Sequence, residues 1–250
     1  MIALEVENIN VRFGGLQALT MCSLAVEQGE RRAVIGPNGA GKTTLFNVIS
    51  GMIKPTAGSI RSFDRDITKA AAHVRASLGI ARTFQITNLF PNLSVVENMV
   101  LGLQALTPLK YVFYKPVASF PEMLETAVSH LKDWGLADKA DHPVRSLSHG
   151  EQRQLEIILA MSSRPKVLLL DEPTQGLSTA ETALVVPMVG ALDPSTTILF
   201  IEHDMDVAFQ MADRITVLYY GSVLAEGSED DIRGNPEVAE VYLGLEGGNA

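Results

Sequence analysis

With 250 residues, 46% of them hydrophobic and 20% charged, the chain is long enough to bury a sizeable core as one α/β domain, alone or with a smaller helical lobe. A net charge of −9, with basic residues scattered and nothing denser than Arg31-Arg32, argues against a nucleic-acid partner. Apolar stretches such as Val167-Leu168-Leu169-Leu170 fall far short of the ~18 residues that cross a bilayer, the N-terminus predicts no signal peptide, and Cys22 alone permits no intrachain disulfide, which suits a reducing cytosol.

Over the first 35 residues apolar and polar positions alternate, as in Ala3-Leu4-Glu5-Val6-Glu7 and Cys22-Ser23-Leu24-Ala25-Val26, the period of half-exposed strands. This predicts an antiparallel β patch leading into an apolar strand, Ala33-Val34-Ile35. Directly after it come Gly36, Pro37, Asn38, Gly39, Ala40, Gly41, Lys42 and Thr43, then a helical run from Thr44 to near Gly51. Glycines at this spacing let backbone N–H groups curl around phosphates, Lys42 reaches their charge, and Thr43 offers a hydroxyl to Mg2+. The helix that follows aims its positive dipole end at the same anion. A nucleoside triphosphate is the predicted ligand.

A turn with Pro55 and Gly58 precedes a predicted short strand at Ser59 to Phe63, and Leu78-Gly79-Ile80-Ala81 leads to Arg82-Thr83-Phe84-Gln85. From Leu89 to Arg145 the periodicity becomes helical. Inside this stretch Tyr111-Val112-Phe113-Tyr114-Lys115-Pro116 is unusually aromatic, and reads either as the core of a helical lobe or as a docking surface. The segment Leu147-Ser148-His149-Gly150-Glu151-Gln152 opens another helix, with Ser148 as its cap and a second set of anion-binding N–H groups. Two phosphate-binding helix ends in one chain are reconciled if the second serves a nucleotide held by another copy in a two-fold dimer.

Strand and helix signals then alternate: a strand from Val167 to Leu170, a helix from Thr179 to Leu192, a strand from Thr196 to Ile201 and a helix from Met205, which predicts a parallel α/β sheet. The first of these strands runs into Asp171-Glu172, placing two carboxylates at the sheet edge where open α/β folds bind ligands. Asp171 is expected to hold Mg2+ through water, and Glu172 to polarise the water that attacks the γ-phosphate. The second strand ends in Glu202-His203-Asp204, so that His203 can contact the γ-phosphate and order Glu172; Gln85 adds an amide for Mg2+ and the attacking water. The tail from Arg214 predicts two short strands around Gly221 and a polar, glycine-containing end that frays.

In this order the motifs resemble an ABC-transporter ATPase subunit over essentially the whole length. The resemblance implies a single ABC ATPase domain over 1–250, with a P-loop NTPase parallel-sheet core (1–88 and 146–250), an N-terminal antiparallel β patch and an inserted helical subdomain (about 89–145). It implies an ATP sandwich in which Phe13 stacks on adenine, residues Gly36 to Thr43 and Thr44 hold phosphates, and Ser148, Gly150 and Glu151 belong to the signature facing the opposite protomer's γ-phosphate. Catalysis would fall to Glu172, His203, Gln85 and Lys42, and Mg2+ to Thr43, Gln85 and Asp171. The partners implied are ATP, a second copy or a homologous ATPase, polytopic permease subunits docked on the helical subdomain and, indirectly, a substrate-binding protein; the location implied is the cytoplasmic face of the plasma membrane.

The phrases Arg12-Phe13-Gly14-Gly15-Leu16-Gln17-Ala18-Leu19, Arg82-Thr83-Phe84-Gln85, Leu147-Ser148-His149-Gly150-Glu151-Gln152 and Ile201-Glu202-His203-Asp204-Met205 are similar to the ATPases of branched-chain amino acid importers. Urea and short-amide importers share much of this wording, an exporter would use the same catalytic sequence, and soluble ABC ATPases of DNA repair or translation lack its single compact cassette. The family signature usually reads Leu-Ser-Gly-Gly-Gln, whereas His149 and Glu151 stand here, and Ser178 replaces a usual aspartate. Since Ser148 and Gly150 remain, activity is expected to survive.

Overall fold

The computed structural model describes residues 1–83, 89–105, 107, 116 and 119–246. The expectations for Gln85 and for the aromatic run Tyr111 to Lys115 lie outside the described residues. The chain divides into two compact units, one of Met1–Arg82, Lys166–Gln175 and Leu192–Ala250, the other of Thr83–Pro165 and Gly176–Ala191.

In the first unit β1 (Ile2–Phe13) pairs antiparallel with β2 (Leu16–Glu27) on one side and with β4 (Ala57–Ser62) on the other, and β5 (Arg65–Asp66) closes the edge. Alternation sets the inner face: Leu4, Val6, Ile9 and Val11 of β1 are buried. The strand expected at Ser59 to Phe63 stops at Ser62, because Phe63 and Asp64 take φ of 47° and 62° in the turn to β5.

The second sheet has the order β10-β9-β3-β8-β7-β6. Its strands β6 (Ile80–Arg82), β7 (Val167–Asp171), β8 (Thr197–Ile201), β3 (Arg31–Ile35) and β9 (Arg214–Tyr219) run parallel, and β10 (Ser222–Gly227) is antiparallel. Every residue of β7 and β8 is buried, which is why both read as continuous apolar runs instead of alternating. Between β3 and the start of α1 (Lys42–Ile49) lies the glycine loop. Helix α1 begins at Lys42 and not at Thr44, since Gly41 occupies the N-cap at φ 104°, a left-handed geometry that hands the loop straight to the helix.

Leu45, Phe46, Val48 and Ile49 of α1 join Leu4, Val34, Leu169 and Leu199 in one core that ties both sheets to the loop helix. The far end of α1 is held by Arg75 of the short helix α2 (Ala72–Ser77), which the sequence did not announce. Its buried guanidinium donates to the carbonyls of Val48 and Ile49, acceptors at the C-terminus of α1, and to those of Thr68 and Ala70 in the turn before α2, at 2.6–3.0 Å.

After β8, α7 (Met205–Met211) is capped by Asp204, whose carboxylate accepts the N–H groups of Asp206 and Val207. The two short strands expected around Gly221 are β9 and β10, and the fraying expected of the glycine-containing end falls on residues 247–250, outside the described residues. Ser228 starts α8 (Glu229–Arg233) with a capping box, and α9 (Pro236–Glu246) follows with proline in the first turn, where a missing N–H costs nothing.

The second unit is helical: α3 (Val95–Ala105) packs on α4 (Pro121–Asp133) and on α5 (His149–Ser162), and α5 packs on α6 (Thr179–Gly190). Gly102 allows α3 to approach α5 closely; a Cβ there would lie 2.6 Å from Leu159. No described helix is long and apolar enough to cross a membrane.

Candidate active site

In the first unit the sheet topology brings the glycine loop, Asp171-Glu172 and His203 to the carboxyl ends of β3, β7 and β8, which are adjacent strands. The loop's shape depends on glycine at Gly36 and Gly41: a Cβ would fall 2.2 Å from the Leu218 carbonyl oxygen at the first and 2.8 Å from that of Ala18 at the second, and both have φ above +100°. The first-turn N–H groups of Lys42, Thr43 and Thr44 have no intrahelical acceptor and form a donor cluster suited to an anion. Lys42 is buried and donates from Nζ to the Gly36 and Pro37 carbonyls at 2.6 and 3.0 Å, so its ammonium stands inside the loop's own curve. Burial lowers its pKa, and the charge of Glu172 works in the opposite direction. Phe13 sits at the tip of the β1–β2 hairpin, 48% exposed, a flat apolar face presented to solvent.

Glu172, 3% exposed, takes φ of +50°, a left-handed conformation that costs a non-glycine residue about 1–3 kcal/mol. It is held there by its N–H to the Ile201 carbonyl at 3.1 Å, by Gln175 N–H to its own carbonyl at 3.1 Å, and by a 2.7 Å contact between Oε1 and His203 Nε2. The expected ordering of Glu172 by His203 is therefore a direct hydrogen bond. Asp171 ends β7 almost fully buried, with Oδ2 2.7 Å from Arg82 Nη2. The same guanidinium donates to Asn47 Oδ1 and Ser50 Oγ at 2.7 and 2.9 Å and stacks over the Phe46 ring, linking β6, β7 and α1.

Three residues at this edge were not singled out by the sequence. Arg82 gives no local signal of a partner 89 positions away. Glu202 accepts the N–H and hydroxyl of Thr174, and burial raises its pKa to about 7 against those hydrogen bonds. Burial pushes the phenol of Tyr242, on α9, up to about 12, with the Gly36 amide acting in the opposite direction.

In the second unit Ser148 caps α5 as the sequence predicted, its hydroxyl accepting the Glu151 N–H at 3.2 Å while the Glu151 carboxylate accepts the Ser148 N–H at 2.9 Å. This reciprocal pair gives Glu151, one of the departures from the family signature, a structural reason: the carboxylate closes a capping box. Ser178 does the same for α6 with Glu181. Glu181 Oε1 also accepts the Gly150 N–H at 2.9 Å, and its pKa falls to about 2, chiefly through the Ser178 and Gly150 amides. A Cβ on Gly150 would lie 2.8 Å from Glu181 Cγ, so this position requires glycine.

A family profile described as "ABC transporter" matches residues 19–175, from the second strand through the glycine loop to the turn after Glu172. The chain belongs to the ABC transporter family. A second profile, "Branched-chain amino acid ATP-binding cassette transporter", matches residues 222–246 of this cassette, the stretch of β10, α8 and α9. The cassette is 38% identical over 248 residues to the high-affinity branched-chain amino acid transport ATP-binding protein BraF of Pseudomonas aeruginosa, covering 96% of this chain and 97% of that protein. It is 34% identical over 251 residues to a probable branched-chain amino acid transport ATP-binding protein LivG of Archaeoglobus fulgidus, covering 98% and 97%.

Among solved structures the cassette resembles the ADP conformation of an ATP-binding cassette of an ABC transporter, with a TM-score of 0.88 and 33% identity over 98% of this chain and 99% of that one. It also resembles a dimeric ATP-binding cassette bound to ADP and Pi, with a TM-score of 0.75 and 27% identity over 90% and 98%. The P-loop α/β fold expected from the sequence is thus the fold of these cassettes. Like them, the cassette binds nucleotide and works as an ATPase motor subunit of a transporter.

Proposed function

We propose that this cassette powers the import of branched-chain amino acids from the cytoplasmic face of the plasma membrane. The observation that carries the reading is the end-to-end similarity to relatives named for that transport, extending through the C-terminal stretch 222–246 that has its own branched-chain profile. The working unit is a dimer, of this chain with itself or with a homologous ATPase, carried on two polytopic permease subunits that dock on the helical unit. A substrate-binding protein delivers the amino acid to the permeases, so no residue of this chain needs to touch it.

In this reading Phe13 stacks on adenine, and the loop Gly36 to Thr44, with Lys42, takes the phosphates. Ser148 and Gly150 of the opposing protomer grip the γ-phosphate, with Glu151 holding the Ser148 cap in shape. Glu172 accepts the proton of the attacking water, while His203 fixes its carboxylate and contacts the γ-phosphate. The hydroxyl of Thr43, the amide expected of Gln85 and, through water, the carboxylate of Asp171 would supply the oxygen donors that suit Mg2+. When bound, Mg2+ neutralises charge on the β- and γ-phosphate oxygens. ATP favours the closed dimer over the open one, and that difference in affinity shifts the population which the permeases read as alternating access.

The test is to tag the chain, extract its native membranes in mild detergent and identify what co-purifies. Two polytopic membrane proteins and a second ATPase, with ATP-dependent leucine uptake when the set is reconstituted, are the expected result. Soluble partners alone would overturn the transporter assembly.

A further inference from the structure

Glu202 stands at the carboxyl end of β8 with 2% of its surface exposed, and among the described residues no lysine or arginine forms an ion pair with it. A carboxylate taken out of water without a cation is costly, so its neighbours indicate what holds it there. One oxygen accepts the Thr174 N–H at 3.1 Å and the Thr174 hydroxyl at 2.9 Å; the other accepts the His203 N–H at 3.3 Å. Three consecutive residues therefore grip one turn. Ile201 takes the Glu172 N–H on its carbonyl, Glu202 takes both donors of Thr174, and His203 reaches the Glu172 carboxylate at 2.7 Å. The turn they grip holds Glu172 at a φ of +50°, a conformation it does not keep unaided.

We propose that Glu202 is a positioning residue for ATP hydrolysis: by anchoring Thr174 it fixes the turn that aims the Glu172 carboxylate at the attacking water. The inference rests on Glu172 being the base. Glu202 does not touch nucleotide; it acts through Thr174, and its buried site makes the anchor insensitive to solvent. Its raised pKa, about 7, records the same desolvation, and a protonated carboxyl keeps the acceptor that Thr174 needs.

The experiment is steady-state ATPase kinetics of the full chain with Glu202→Leu, Glu202→Gln and Thr174→Val, with binding of a fluorescent ATP analogue measured alongside. Glu202→Leu is expected to lower kcat about tenfold, with KM and analogue affinity within about twofold of the parent. Glu202→Gln, which retains an oxygen for both Thr174 donors, should bring kcat back to within about threefold. Should Glu202→Leu fail to fold, Thr174→Val, which deletes only the hydroxyl, should reduce kcat about threefold at unchanged KM. Parental kcat in Glu202→Leu or Thr174→Val, equal loss in the Gln and Leu variants, or loss of kcat and nucleotide binding together would each overturn the inference. Parental turnover in Glu172→Gln would instead remove the base assignment itself, so the two failures are told apart.

Discussion

Replacing Arg82 with methionine removes the cation that faces Asp171 Oδ2 at 2.7 Å while keeping most of the side chain's volume. The two side chains are 6% and 1% exposed, so solvent does little to screen the loss. Removing one partner of a buried pair costs about 3–5 kcal/mol, because the remaining charge stays desolvated. The bonds to Asn47 and Ser50 and the contact over Phe46 disappear at the same time, which places the expected loss towards the upper end. For a chain of this size the fall in Tm is about 6–20 °C. Urea unfolding of the parent, Arg82→Met, Asp171→Asn and the double variant measures the coupling directly, and the double variant should be less destabilised than the sum of the singles by about 1–3 kcal/mol. A loss below about 1 kcal/mol in Arg82→Met, or additive singles, would refute the view that this pair fixes the carboxylate end of β7.

Lys42→Ala should abolish ATP turnover and weaken nucleotide binding severely, and undiminished activity would contradict the phosphate-loop assignment. Glu202 gives a pH signature of definite sign. Its carboxyl is raised to about 7 from an ordinary 4.5, so the folded state holds the proton longer than the unfolded one. Stability from this group is complete below pH 4.5 and drains away as pH rises through 7, by about 3 kcal/mol; in urea melts Glu202→Gln should lose that part of the decline. Ser178→Ala removes the cap of α6 and should lower the stability of the helical unit by about 1 kcal/mol, measurable as faster amide exchange in the first turn of α6.

What the sequence made legible follows from range. The glycine loop is a local pattern: backbone geometry at Gly36 and Gly41 and the reach of Lys42 are encoded within eight residues, and so was the Ser148 cap, though not its Glu151 partner. The strands β7 and β8 were readable because burial on both faces leaves unbroken apolar runs. Arg82 was not, since its meaning lies in Asp171 and Asn47, which only the folded sheet and α1 bring to it. The same holds for Glu202, whose partner Thr174 is 28 residues earlier, and for Arg75, which caps a helix that ends 26 residues before it. Helix α9 was missed for a different reason: its glycine and acidic residues mask a weak amphipathic signal, and its order comes from packing on β10 and α8. Ser178 and Glu151, which read as departures from a family pattern, turn out to be the cap of α6 and the carboxylate that closes the α5 capping box.

The central claim, that Glu172 is the base of an ATPase whose closed dimer is held by ATP, is tested most directly by Glu172→Gln in the presence of Mg–ATP, with size-exclusion chromatography and phosphate release measured on one sample. A stable ATP-loaded dimer with phosphate release reduced at least about a hundredfold is the predicted result. Phosphate release at the parental rate would contradict the account.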